Sequence, residues 1–200
     1  MKKFLASALM LLAASTATFA QHAVGSFTLQ PKVGMNVASL TKSDNYDSRI
    51  GLAAGVEGEY QVSDIFSLSL GAIYSQQGNK IDKTIAGQSF KYTNKLDYVN
   101  VPVMANVYVV PGLAVKLGVQ PGFNVNSKGK AVANTVIGST DKTVELDAKS
   151  VDFSIPVGLS YEYKGVVLDA RYNWGLTKVW DGSDAKNSVF QFTLGYKFEL

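Results

Sequence analysis

The sequence predicts an all-β fold: an eight-stranded antiparallel up-and-down transmembrane β-barrel, preceded by a cleavable signal peptide. Three observations predict it. First, Asn187 to Leu200 alternates almost without fault, setting Phe190, Phe192, Leu194, Tyr196, Phe198 and Leu200 against Gln191, Thr193, Gly195, Lys197 and Glu199. A period of two is a strand with one apolar and one polar face. Second, seven further segments keep their apolar residues on a single parity. Third, the connections between them alternate short and long, as in a barrel with tight turns on one rim and extended loops on the other.

The first segment, Phe27 to Ser39, sets Leu29, Val33, Met35 and Val37 against Gln30, Lys32, Gly34 and Asn36. In the second, Ile50 to Tyr60, Leu52, Ala54, Val56 and Tyr60 oppose Glu57 and Glu59. The third, Ile65 to Gln77, sets Phe66, Leu68, Leu70 and Tyr74 against Ser67, Ser69 and Ser75. The fourth, Leu96 to Val109, is valine-rich, with Asn100 and Asn106 on its polar side. The fifth, Leu113 to Asn126, sets Val115, Leu117, Val119 and Phe123 against Lys116, Gln120 and Asn124. In the sixth, Val151 to Tyr163, the polar parity carries Asp152, Ser154, Ser160 and Glu162. The seventh, Val166 to Thr177, sets Leu168, Ala170, Tyr172, Trp174 and Leu176 against Asp169, Arg171, Asn173 and Thr177. Segments of this length suffice, because a tilted transmembrane strand needs about 9 to 11 residues.

Short turns are expected at Gln61–Asp64, Val110–Gly112 and Lys164–Gly165, and long polar loops at Leu40–Arg49, Gly78–Lys95, Ser127–Ser150 and Lys178–Lys186. Pro102 and Pro156 fall inside strands, where proline cannot donate to a ladder. A local bulge or an opening near the outer rim is expected at each.

The N-terminus fits an exported chain. Lys2 and Lys3 precede an apolar run, Phe4 to Ala14, and small residues end in Thr18-Phe19-Ala20. This is the layout of a signal peptide over residues 1–20, too short to span a bilayer, with a barrel domain over 21–200. Without Lys2 and Lys3 the chain keeps 17 basic and 16 acidic residues, so its basic charge gives no argument for nucleic acid. There is no cysteine, which excludes disulfides and thiolate metal sites.

Taken together, Tyr98-Val99-Asn100-Val101-Pro102-Val103, Tyr161-Glu162-Tyr163-Lys164-Gly165, Leu168-Asp169-Ala170-Arg171-Tyr172-Asn173-Trp174-Gly175-Leu176 and the final strand resemble the PorT-like outer-membrane β-barrel family. That "porin family" is abundant in Bacteroidetes. The resemblance covers nearly the whole mature chain; it implies a fold and an outer-membrane location, and its motifs assign no activity. Separately, Thr193-x-Gly195-x-x-Phe198-x-Leu200 resembles the C-terminal signal read by the barrel assembly machinery, with Leu200 in place of the usual final aromatic residue.

Other readings start from the same residues. A lipocalin-like soluble barrel would turn the apolar face inward around a ligand. Here the other face is rich in Ser, Gly, Asn and Gln, and Tyr60, Tyr161, Tyr163, Trp174 and Tyr196 gather toward strand ends like interfacial girdles. An enzyme is disfavoured: the single histidine, His22, lies beside the cleavage site and away from the strands, leaving no imidazole for a nucleophile. Asp44 with Asp47, or Asp181 with Asp184, lack calcium-loop spacing, so neither metal nor cofactor is expected.

Parity places Lys32, Glu57, Glu59, Lys116, Asp152, Glu162, Asp169, Arg171, Lys197 and Glu199 inside. In a narrow lumen such charges should pair, because an unpaired buried charge is costly. Arg171 is expected to reach Glu57 or Glu59 and to plug the barrel. That leaves the loops 78–95 and 127–150 as the surface for a protein partner. Phe90 and Tyr92 suggest that strands three and four extend beyond the membrane as a hairpin with edges open to β-augmentation. The sequence therefore points to a monomeric outer-membrane barrel, embedded in lipid, with a structural or interaction role. A narrow channel for small solutes or ions is the alternative, and an exported soluble lipid- or ligand-binding barrel the third reading.

Overall fold

The computed structural model describes residues 22–42, 46–85, 88–135 and 138–200. The signal peptide over 1–20 lies outside them, as does Asp44. Eleven strand segments are present: β1 (Phe27–Leu40), β2 (Asp47–Ser63), β3 (Phe66–Ile85), β4 (Gln88–Asn100), β5 (Val103–Val110), β6 (Leu113–Thr135), β7 (Gly138–Glu145), β8 (Val151–Tyr163), β9 (Val166–Gly175), β10 (Asn187–Tyr196) and β11 (Phe198–Glu199). They build an eight-membered antiparallel ring. β4 and β5 are two parts of one strand, as are β10 and β11, and β7 stands outside the ring on β6. The ladder from Lys32↔Gly195 to Leu40↔Asn187 closes β10 onto β1.

The turns on one rim are tight. At Lys164–Gly165 both residues have positive φ (50° and 81°), the geometry that a two-residue hairpin between right-twisted strands requires. On the other rim, β3 and β4 extend as the hairpin that Phe90 and Tyr92 suggest, and much of the expected loop Ser127–Ser150 is strand instead. β3 and β4 pair as far as Ile85↔Gln88, and β6 and β7 pair from Lys128↔Glu145 to Thr135↔Gly138. Because β4 also pairs with β6 up to Ser89↔Asn134, these segments form one four-stranded sheet standing above the barrel. The 127–150 hairpin went unseen because its Lys, Thr, Asn and Gly carry no apolar parity; with both faces in water, none is needed.

Each expected proline irregularity takes its own form. At Pro102 the strand stops: Val101 and Pro102 separate β4 from β5, and Gly71 N–H donates to the Pro102 carbonyl at 2.9 Å. Pro156 causes no bulge. It keeps its place opposite Asn173, while the β6 ladder skips from Leu117↔Val157 to Gln120↔Ser154 in unchanged register. A third proline, Pro31, has the same effect on the last strand. β1 meets β11 at Leu29↔Phe198 and β10 at Lys32↔Gly195, and Lys197 breaks the strand between them.

Parity decides which face is which. Phe192 is 48% exposed, whereas Arg171, on the neighbouring strand and of opposite parity, is 2% exposed. The same holds around the ring: Leu29, Val33, Met35, Leu52, Leu70, Leu117, Leu159, Leu168 and Leu194 all point outward. Tyr60, Tyr163 and Tyr196 sit in that face near the tight-turn rim, and Trp174 near the other. The apolar belt therefore faces out, which removes the soluble-barrel reading.

Candidate functional site

Eight strands leave an interior just wide enough for side chains to fill. At its middle, five charged groups meet. Lys32 Nζ lies 2.9 Å from Glu57 and 3.6 Å from Asp169; Lys116 Nζ lies 2.6 Å from Glu57 and 3.1 Å from Asp169. Arg171 joins them, its Nη2 donating to Asp169 at 2.6 Å and to Glu57 at 3.2 Å, with Nε on the other Asp169 oxygen at 2.8 Å. The planar guanidinium suits this forked contact. Three cations against two carboxylates leave the cluster one positive charge in excess.

Glycines make room for these long side chains. Lys32 stands between Gly55 and Gly195, Glu57 opposite Gly71, and Gly158 between Lys116 and Arg171. A Cβ at Gly158 would lie 2.5 Å from the Ala170 carbonyl oxygen and 2.7 Å from Arg171 Cβ. All four glycines share the parity of the charges they flank, so the signal was in the sequence beside the charges themselves.

A second cluster fills the tight-turn end. Lys197 Nζ is 3.0 Å from Glu59 and 3.0 Å from Glu162, and it donates to the Tyr108 hydroxyl at 3.2 Å. Tyr108 in turn donates to Glu59, which also accepts from Ser67 at 2.7 Å. His22 completes the group, 3.1 Å from Glu162. It was expected away from the strands. Instead residues 22–26 fold across this mouth, tied by Gly25 N–H to the Gln61 carbonyl at 2.8 Å.

The opposite end is closed differently. Leu40, Leu96, Tyr98, Val179 and Ala185 form a small apolar cluster over the lumen. The chain between β9 and β10 folds inward to supply two of them, held by Val179 N–H on the Ala185 carbonyl and Lys149 N–H on the Val179 carbonyl.

Among the residues predicted for the lumen network, Lys32, Glu57, Lys116, Asp169 and Arg171 meet at the centre, and Glu59 and Lys197 at the second cluster. Arg171 reaches Glu57 and Asp169, while Glu59 is taken by Lys197. Glu199 stands apart. Its side chain is 58% exposed and 3.6 Å from His22, because it lies at the end of the last strand, at the rim opposite Thr28. Of the terminal motif, Thr193 is buried in the lumen, Gly195 pairs with Lys32 and Val167, and Phe198 and Leu200 point outward. The loop aspartates bind lysines: Asp181 with Lys149 at 2.8 Å, Asp184 with Lys178 at 2.6 Å. Tyr108, His22 and the apolar lid were not foreseen. Tyr108 was legible, since it shares the polar parity of Asn106; the lid was not, because it comes from a loop without period.

Above the barrel, the sheet carries a groove of about 370 Å³ lined by Ile81, Phe90, Tyr92, Ala131, Val132 and Lys142. The backbone edges of β3 beyond Lys80 and of β7 have no strand partner among the described residues.

An apolar exterior around a paired ionic interior, with a closed ring of eight antiparallel strands, defines a transmembrane β-barrel. The chain belongs to the family described as outer membrane protein beta-barrel domain, whose model matches residues 19–181, and it resides in the outer membrane. No curated protein sequence matches it. Among solved structures it is similar to Ail, the attachment invasion locus protein of Yersinia pestis, at 14% identity and TM-score 0.50, covering 88% of this chain and 100% of that one. It is also similar to Neisserial surface protein A, at 16% identity and TM-score 0.46, covering 86% and 97%. At such identities the likeness to Ail speaks for the fold alone.

Proposed function

We propose that the barrel is a sealed, non-enzymatic, monomeric anchor that displays the β3–β4–β6–β7 sheet outside the cell as a surface for a protein partner. The observation that carries this reading is the pairing of two open strand edges with an apolar groove on one projecting sheet. An open edge is a template for an added strand, and pockets along it select side chains. The lumen argues against the channel alternative, because each end is covered and the middle is filled by paired charges. On the motifs quoted above we place the chain with the PorT-like group. The Thr193, Gly195, Phe198 and Leu200 pattern is assigned to recognition by the assembly machinery.

The test uses the refolded protein in nanodiscs, screened against displayed extended peptides. Binders should be recovered, and binding should be lost when residues 129–144 are replaced by a short turn while the heat-dependent gel shift of the barrel persists. An absence of binders, or binders indifferent to that replacement, would contradict the reading.

A further inference from the structure

The outward face of the projecting sheet, opposite the groove, changes character in regular steps away from the membrane. Tyr74, Val99 and Phe123 are cross-strand neighbours in the lipid-facing surface. Two residues further along β3 and β4, and three along β6 where Val125 is the extra residue of a bulge, come Gln76, Asp97 and Asn126. There Asn126 donates to Asp97 at 2.9 Å, and Arg49 lies 3.6 Å from the same carboxylate. At the next step Lys95 stands directly opposite Lys128, flanked by Gly78 and Glu145. One step higher Lys80 and Lys130 share a row through Thr93. Among the described residues, Lys80, Lys95 and Lys128 have no carboxylate within 4.0 Å, and Lys130 has the exposed Asp141 at 3.3 Å.

Like charges directly opposite one another weaken a ladder. Glu145, directly opposite Lys128 on its other side, offsets part of this without making an ion pair, so the Lys95–Lys128 pair stays unfavourable and an anion held between the two ammonium groups would reverse its sign. Its height points to the anion's source. Lys95 lies four residues beyond Val99, about 13 Å along the strand and less along the membrane normal once the strand tilts. That is the level of the headgroups, and lysine stems bend toward the interface with ease. A polar groove of about 410 Å³ runs beside Lys128, lined by Asn126, Ser127, Glu145 and Leu146.

We propose that Lys95 and Lys128, supported by Lys80 and Lys130, bind the phosphate of a phosphorylated lipid in the outer leaflet, whose acyl chains lie against Phe123 and Val99. The site fixes the height of the sheet above the membrane, and it is independent of any partner on the other face.

The experiment places the refolded protein in phosphatidylcholine nanodiscs doped with either diphosphorylated or dephosphorylated lipid A. Lipid retained after detergent extraction is then quantified by mass spectrometry. The phosphorylated form should be retained about tenfold better, and a K95Q/K128Q double variant should lose that preference. K164Q, on the far rim, should keep it. Equal retention of the two lipids, or an unaltered preference in K95Q/K128Q, would overturn the proposal. Displacement by excess inorganic phosphate would assign the site to a soluble anion and overturn its lipid source. Should the double variant fail to fold, the comparison of the two lipids on the unaltered protein still decides.

Discussion

Strands β3, β4 and β6 pass through two environments, and they hold charge in opposite ways on either side of the row Gln77–Leu96–Ser127. Below that row their one lumen-facing charge, Lys116, is buried and contacts two carboxylates at 3.1 Å or less. Above it the ion pairs are single and solvated: Lys91 with Asp82 at 3.1 Å, Lys130 with Asp141 at 3.3 Å. The same pairing chemistry therefore has different consequences. A solvated pair contributes little, while a buried network punishes removal of any member.

The largest effect that would test this contrast is expected at the centre. Arg171→Ala leaves Glu57 and Asp169 balanced by Lys32 and Lys116 but removes three charged hydrogen bonds and opens a cavity where the side chain was, and should cost about 3–5 kcal/mol in urea unfolding followed by the gel shift. An Arg171→Ala barrel as stable as the parent would break the comparison. Next comes the space that the glycines provide. Gly158→Val forces atoms against the Ala170 carbonyl and the Arg171 stem, and should cost about 1–3 kcal/mol by the same assay. A neutral result would mean that the network has slack.

A smaller effect sharpens the comparison at the boundary. The hydrogen bond to Glu162 raises the pKa of His22 above its usual 6.5, despite burial pulling the other way. A raised folded-state pKa means a stabilising contribution fully present below pH 6.5 and lost as pH rises through the folded value. The unaltered protein should thus lose stability as pH rises above about 6.5, and His22→Gln should flatten that slope. Equal slopes would show that His22 is a bystander. Smallest of all, Lys91→Ala should change stability by less than about 0.5 kcal/mol. A larger loss would mean that the sheet is coupled to the barrel.

How much of this was legible follows from where water is excluded. Inside the membrane one face must be apolar and the other must satisfy its charges, so parity alone located Lys32, Glu57, Lys116, Asp169 and Arg171 on the inner face. Strand period could not say which carboxylate takes which cation, since that depends on shear around the ring; hence Glu59 went to Lys197. Outside the membrane the constraint lapses. Residues 127–135 and 138–145 form strand with no alternating apolar signature, and only Phe90 and Tyr92 betrayed the hairpin beside them. The lid of Val179 and Ala185 comes from a loop whose path is set by backbone hydrogen bonds, which no spacing encodes.

The account rests on a lumen closed by its own charges, and ionic conductance tests that most directly. The mature protein, shown to be folded by its heat-dependent gel shift, would be inserted singly into a planar bilayer. The expected record is silent, with steps emerging only in Arg171→Ala variants that retain the fold. Discrete conductance steps from the unaltered protein would contradict the sealed anchor and restore the channel.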